Sequence, residues 1–163
     1  MSSTPGTTLF EVVLALHIMA VVVAFGVTFA YPVMFAVTAR HDPRSLPLVH
    51  RIEYTIERLL ISPGLLVVVI AGIYLASKGH FWSQFFVQWG LAAALVIGAL
   101  IGSVMIPTAK RAEQIAARDI ATAGEGNVEM SEDYRASVRR LSIVGSLLST
   151  IVLVTILFMV IQP

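Results

Sequence analysis

Apolar residues along the chain gather into four long runs, Leu9–Val37, Leu59–Ala76, Phe85–Pro107 and Leu141–Ile161, separated by polar connections. A helix needs about 20 apolar residues to cross the hydrocarbon core of a bilayer, and each run is near or above that length. The first connection opens with HDPRSLP (His41–Pro47), which is turn chemistry. The following LVHRIEYTIERLL places apolar residues at 48, 49, 52, 56, 59 and 60, a helical spacing. His50, Arg51, Glu53, Glu57 and Arg58 fall on its other face. This predicts a short amphipathic helix at the membrane interface, with its polar face solvated, continuing into the second run. The third run is expected to stay helical through TAKRAEQIAARDIATA and to break at Gly124–Asn127. Ser131 then reads as an N-cap, with Glu132 and Asp133 in the first turn of a helix that enters the membrane near Leu141. The expected fold is an all-α integral membrane four-helix bundle, one domain over 1–163, with helical extensions on one side.

Composition agrees. Hydrophobic residues make up 57% and charged ones 13%, with a mean hydropathy of +0.85; a soluble domain carries about 25% charged residues. The absence of cysteine excludes disulfides, thiolate metal sites and cysteine nucleophiles. A net charge of +1 provides no field for nucleic acid, and no nucleic-acid motif is present. No Lys or Arg precedes Arg40, so the first run reads as a retained helix rather than a signal peptide.

The charges are unevenly placed. Arg40, Arg44, Arg51 and Arg58 lie between runs one and two, and Lys110, Arg111, Arg118, Arg135, Arg139 and Arg140 between runs three and four. Only Lys78 lies in the short second connection. The positive-inside rule puts both basic connections in the cytoplasm and both termini outside, as expected of a multi-pass protein of a bacterial inner membrane. Trp82 and Trp89, with Phe81, Phe85 and Phe86, then mark the outer interface.

Helices in lipid associate through close contact of small residues. In run three Gly90, Ala94, Gly98 and Gly102 recur every four residues, and in run two Gly64, Val68 and Gly72 do the same. Run four carries Ser142, Gly145, Ser146, Ser149 and Thr150. These stripes are expected to pack the bundle; the alternative is that one of them, on run three, joins two copies of the chain, as in a non-enzymatic membrane assembly module with a structural His17. Pro32 and Pro63 interrupt their helices.

His17 is the misfit in EVVLALHIMAVVVAFGV. It shares a helical stripe with Val21, Ala24, Thr28, Tyr31 and Phe35, and ionisable groups in spans face the bundle interior. A neutral imidazole there has three uses: a hydrogen bond between helices, a haem or metal ligand, or a proton relay. His80, in the connection on the same outer side, is the weaker candidate for a second axial ligand. His41 and His50 are expected to be solvated. No nucleophile–base pair, phosphate loop or zinc motif appears, which leaves a hydrolase little to work with. Copper handling is disfavoured because Cu(I) takes soft ligands.

LALHIMAVVVAFGVTFAYPVMFAVTARH resembles the first span of the haem-binding protoporphyrinogen oxidase of the HemJ type and is similar to the copper-resistance protein D superfamily. ISPGLLVVVIAGIYLA resembles their second span. The chain is most similar to a related family of uncharacterised bacterial four-span membrane proteins. The resemblance implies that His17 corresponds to the span-one histidine associated with haem b. Two features depart from the oxidase: VQWGLAAAL has no lysine early in the third span, and Val33 and Met34 stand where an arginine follows the span-one proline. Both argue against the oxidase reaction.

Overall fold

A computed structural model describes residues 8–162. The tail expected outside the membrane at residues 1–7 lies outside the described residues. Among the described residues seven α-helices, joined by irregular turns, build four continuous rods. The first rod comprises α1 (Leu9–Gly26), a 3₁₀ turn (Val27–Ala30) and α2 (Tyr31–His41). The second runs from a 3₁₀ turn (Pro43–Ser45) through α3 (Leu46–Ile56) and a π turn (Glu57–Ile61) into α4 (Ser62–Lys78). The third joins α5 (Phe85–Leu100) to α6 (Ile106–Ala123) through a second π turn (Ile101–Met105), and α7 (Glu132–Ile161) is the fourth. All four are long and apolar enough to cross a membrane. The third has 39 residues, about 58 Å at 1.5 Å per residue, so its α6 end projects well beyond a core about 30 Å thick.

Local sequence explains the ends and the irregular turns. Thr8 and Glu11 form a reciprocal capping box at the start of α1. Ser131 caps α7 as the sequence predicts, accepting from the Tyr134 amide. Three of the irregular turns stand directly before Pro32, Pro63 and Pro107. Proline has no N–H and its ring collides with the carbonyl four residues back, so the preceding turn must widen or tighten. Before Pro63 the Ser62 amide reaches back five residues to the Glu57 carbonyl, which also accepts from Ser62 Oγ at 2.8 Å. Before Pro107 the Ile106 amide does the same to Ile101.

The rods pack in ring order. Helices α1 and α4 are antiparallel and closely packed: a Cβ on Gly64 would stand 2.7 Å from Ala24 Cβ, and one on Gly72 would stand 3.4 Å from His17 Cε1. The small-residue stripe of run two is therefore a seam within the chain. At the end remote from the basic connections, α5 and α7 are joined by Trp89 Nε1–H donating to Thr155 Oγ1 at 3.0 Å and by Phe158 edge-on to Phe85 and Trp89. At the basic end α3, α6 and the start of α7 form a second layer on the alanines Ala109, Ala112 and Ala116, all fully buried. Arg51 pairs with Glu113 at 2.7 Å across α3 and α6. Arg44 donates to the Gly124 and Gly126 carbonyls, closing the exit of α6. Asp119 accepts from the Ser131 amide at 2.8 Å. Between the first and fourth rods contact is sparse and lies mainly at Val27–Ala30.

The run-three stripe does not form one flat surface. Gly90 faces Met159 of α7, Gly98 faces Leu65 of α4, Ala94 is half-buried, and a Cβ on Gly102 would meet nothing within 4 Å. The stripe is divided because α5 sits between α4 and α7, and because the π turn at Ile101 shifts the register before Gly102.

Replacing Gly64 with Val forces α1 and α4 apart, whereas Gly102→Val fills open space. Gly64→Val is expected to lower stability by about 1–3 kcal/mol, read as a lower thermal midpoint of the detergent-solubilised chain. Equal midpoints for the two variants would contradict the seam.

An intramembrane cavity as the candidate functional site

The stripe His50, Glu53, Glu57 and Ile61 runs down one side of the second rod at spacings of three and four residues, so these side chains point the same way. They point inward. His50 is fully buried, Glu53 and Glu57 are 3% and 2% exposed, and Ile61 is 1% exposed. Other apolar positions of the same segment face outward, Leu48 at 56% and Leu59 at 70% exposed, although Val49 is buried and Ile56 half-buried. This reverses the expected interface helix, whose polar face was to be solvated, and it corrects the placement of His50 as a solvated residue. The polar groups find their partners inside, His50 on Glu53 and on Tyr134 of α7, and Leu48 and Leu59 are left on the outer surface. Arg51 and Arg58 keep to the outer side.

Inside, His50 bridges two rods. Its Nδ1 is 3.0 Å from Glu53 Oε2 and its Nε2 is 3.1 Å from the Tyr134 hydroxyl of α7. Both ring nitrogens are thereby engaged. The Phe35 ring lies against the imidazole, centroid to centroid 4.6 Å. Glu57, one turn deeper, has no such arrangement. Among the described residues its Oε2 and the Tyr31 hydroxyl are buried with no hydrogen-bond partner. A buried polar atom left unpaired costs about 1–3 kcal/mol, more when charged.

Both orphaned atoms belong to residues lining a cavity of about 540 Å³. Pockets for drug-sized molecules span about 300–1,000 Å³. All four rods contribute to the wall. The two π turns supply Glu57, Ile61, Ile101 and Met105, and the 3₁₀ turn supplies Thr28 and Phe29. Wide turns of this kind recur at functional sites. Along α7 the wall runs from Val138 to Val152, about 21 Å of helix. Ser142 and Ser146 line the cavity and are exposed, as is Phe29. The cavity therefore opens sideways, through the sparse seam between the first and fourth rods.

The sequence-predicted residues fall elsewhere. His17 is half-buried on the α1–α4 seam, with Nδ1 3.0 Å from the Val68 carbonyl, and is not part of the cavity wall. The rest of its predicted stripe does face inward: Ala24 and Tyr31 are buried, and Thr28 and Phe35 line the cavity. His80 is exposed, with positive φ, in the turn between α4 and α5. Among the described residues no group of three or more His, Asp or Glu side chains is placed to hold a metal ion. The inward carboxylates were missed in the sequence, although His50, Glu53 and Glu57 at helical spacing beside a membrane run carried the signal.

Tyr134→Phe keeps the ring and removes the hydroxyl that engages His50 Nε2. It is expected to cost about 1–2 kcal/mol, seen in thermal unfolding, and an unchanged midpoint would show that the bridge contributes nothing.

No curated protein and no solved structure matches the chain. A family model described as "Predicted integral membrane protein (DUF2269)" matches residues 11–163, nearly the whole chain, and the protein belongs to that family.

Proposed function

We propose that this integral membrane protein is a non-enzymatic binding module that admits a small amphipathic molecule from the bilayer into the cavity between its first and fourth rods. One observation carries this reading: Glu57 Oε2 and the Tyr31 hydroxyl are buried, unpartnered and set in the wall of a cavity with a lipid-side mouth. Hydrogen-bonding groups left open at such cost are accounted for by a ligand that completes them. We place the basic end in the cytoplasm, by the positive-inside rule, in a bacterial inner membrane. Gly90 and Gly98 are occupied within the chain, so assembly with a second copy through run three would fall to Gly102.

The test uses 1-aminoanthracene, a neutral fluorophore that brightens in apolar sites. The detergent-solubilised protein should give a saturable rise in emission, and Gly145→Phe, which projects a ring into the cavity from α7, should abolish it. Non-saturating emission identical in both proteins would mean that the cavity takes no ligand.

A second reading concerns haem b, implied by the family resemblance at His17. Its support is that Nδ1 lies on the Val68 carbonyl, an arrangement that orients an imidazole and leaves Nε2 for a ligand. The fit extends to one axial position, since the Nδ1–Cε1 edge is packed on α4 at Gly72 and His80 is exposed in a turn. Haem, when bound, would supply one-electron chemistry. The purified protein should then show a Soret band that shifts with dithionite and is lost in His17→Ala; a colourless protein made with added haem precursor would remove this reading.

A further inference from the structure

The cavity wall is chemically one-sided. Two carboxylates line it, Glu53 and Glu57, and no Lys or Arg does. The one basic group, His50, is held between Glu53 and Tyr134 with both nitrogens engaged, so whatever positive charge it carries is directed to Glu53. Glu57 is left without a counter-charge although it is 2% exposed. Aromatic side chains of the first rod share the wall with it: Phe25, Phe29 and Tyr31 all line the cavity, and Phe35 adds its ring beside His50. An uncompensated buried carboxylate needs a proton or a cation, and aromatic faces attract cations through their quadrupole. Carboxylate and aromatic rings around an apolar volume form a receptor for a bulky, weakly hydrated organic cation. A small metal ion is a poor match, because the cavity holds no third carboxylate and no cluster of ligands. A phospholipid head group is a poor match too, because its phosphate would enter beside two carboxylates with no basic side chain to receive it.

We propose that the occupant of the cavity is a lipophilic organic cation, an ammonium or phosphonium carrying aromatic or alkyl groups, with Glu57 as its counter-ion and the aromatic rings of the first rod as its walls. This rests on the binding-module reading above. The cation enters from the lipid past the exposed Ser142 and Ser146. Its charge settles against Glu57 while its substituents fill the apolar remainder formed by Ile61, Ile97 and Val152. Tyr31, whose hydroxyl is also unpartnered, offers both a ring face and a hydrogen-bonding oxygen at this point.

The experiment is displacement of 1-aminoanthracene from the full chain in an uncharged maltoside detergent by two probes of similar shape, methyltriphenylphosphonium and neutral triphenylphosphine oxide. The cation should displace the fluorophore at a concentration at least about tenfold below the oxide, the ratio expected of a desolvated cation among aromatic rings and one opposite charge. Glu57→Gln should erase that preference, bringing the displacing concentrations of the two probes together to a ratio of about one whatever the variant's affinity for the fluorophore. Glu57→Asp, which keeps the charge, should retain part of it and serves if the glutamine variant does not fold. Equal displacement by the two probes, or a preference that survives Glu57→Gln, overturns the cation assignment while leaving the binding module in place. Absence of fluorophore binding to the wild-type chain overturns both.

Discussion

The buried bridge from Glu53 through His50 to Tyr134 is the contact on which the basic end of the bundle depends. It joins the second rod to the fourth at the level where the first and fourth rods separate. A polar stripe buried away from solvent must find its partners within the protein. With His50, Glu53 and Glu57 on one face of α3 and its π turn, that face turns inward and Leu48, Leu59 and Leu60 lie outward, while Leu46 packs in the core. The fully buried alanines of α6 then let α3 approach closely. The Arg51–Glu113 pair at the exposed edge closes over this packing; as a surface ion pair it adds little by itself.

The prolines explain why the same bundle contains a void. Pro32, Pro63 and Pro107 each deform the turn before them, and three rods carry those deformations into the wall of one cavity. Glu57 and Ile61, four residues apart at the two ends of the π turn, both point into the bundle. Rods deformed on their inner faces cannot pack to the density of regular helices. Here the remaining space collects beside the carboxyl that has no partner.

Much of this architecture was legible in the sequence. Four apolar runs, the continuation of the third beyond Pro107, the Ser131 cap and the inward stripe Ala24–Thr28–Tyr31–Phe35 all follow from hydropathy and helical spacing. The direction of α3 was not legible by the same rules, because an amphipathic pattern does not state which solvent it faces. The rule that apolar residues point inward holds in water and inverts against lipid. The small-residue stripes were read correctly as packing surfaces in run two. In run three spacing alone could not assign Gly90 to α7, Gly98 to α4 and Gly102 to neither, because a stripe on a helix lying between two neighbours is shared between them.

His17 and Glu57 show how the two kinds of intramembrane polar residue differ. Both sit in spans and both look anomalous in a hydropathy trace. His17 meets a backbone carbonyl on the neighbouring rod, at a point where Gly72 leaves room for its ring. Its hydrogen bond adds direction to the tightest seam in the molecule and fixes the pairing of α1 with α4. Glu57 is more deeply buried and meets no donor. The first residue has a ring nitrogen engaged within the chain, and Oε2 of the second has no partner there. That difference, rather than residue type, is what directs attention from the histidine of the first rod to the carboxylate of the second. The rods also differ in how they pack: α1 and α4 are in close contact along their seam, whereas α7 is held by α5, α6 and His50 and meets the first rod only sparsely.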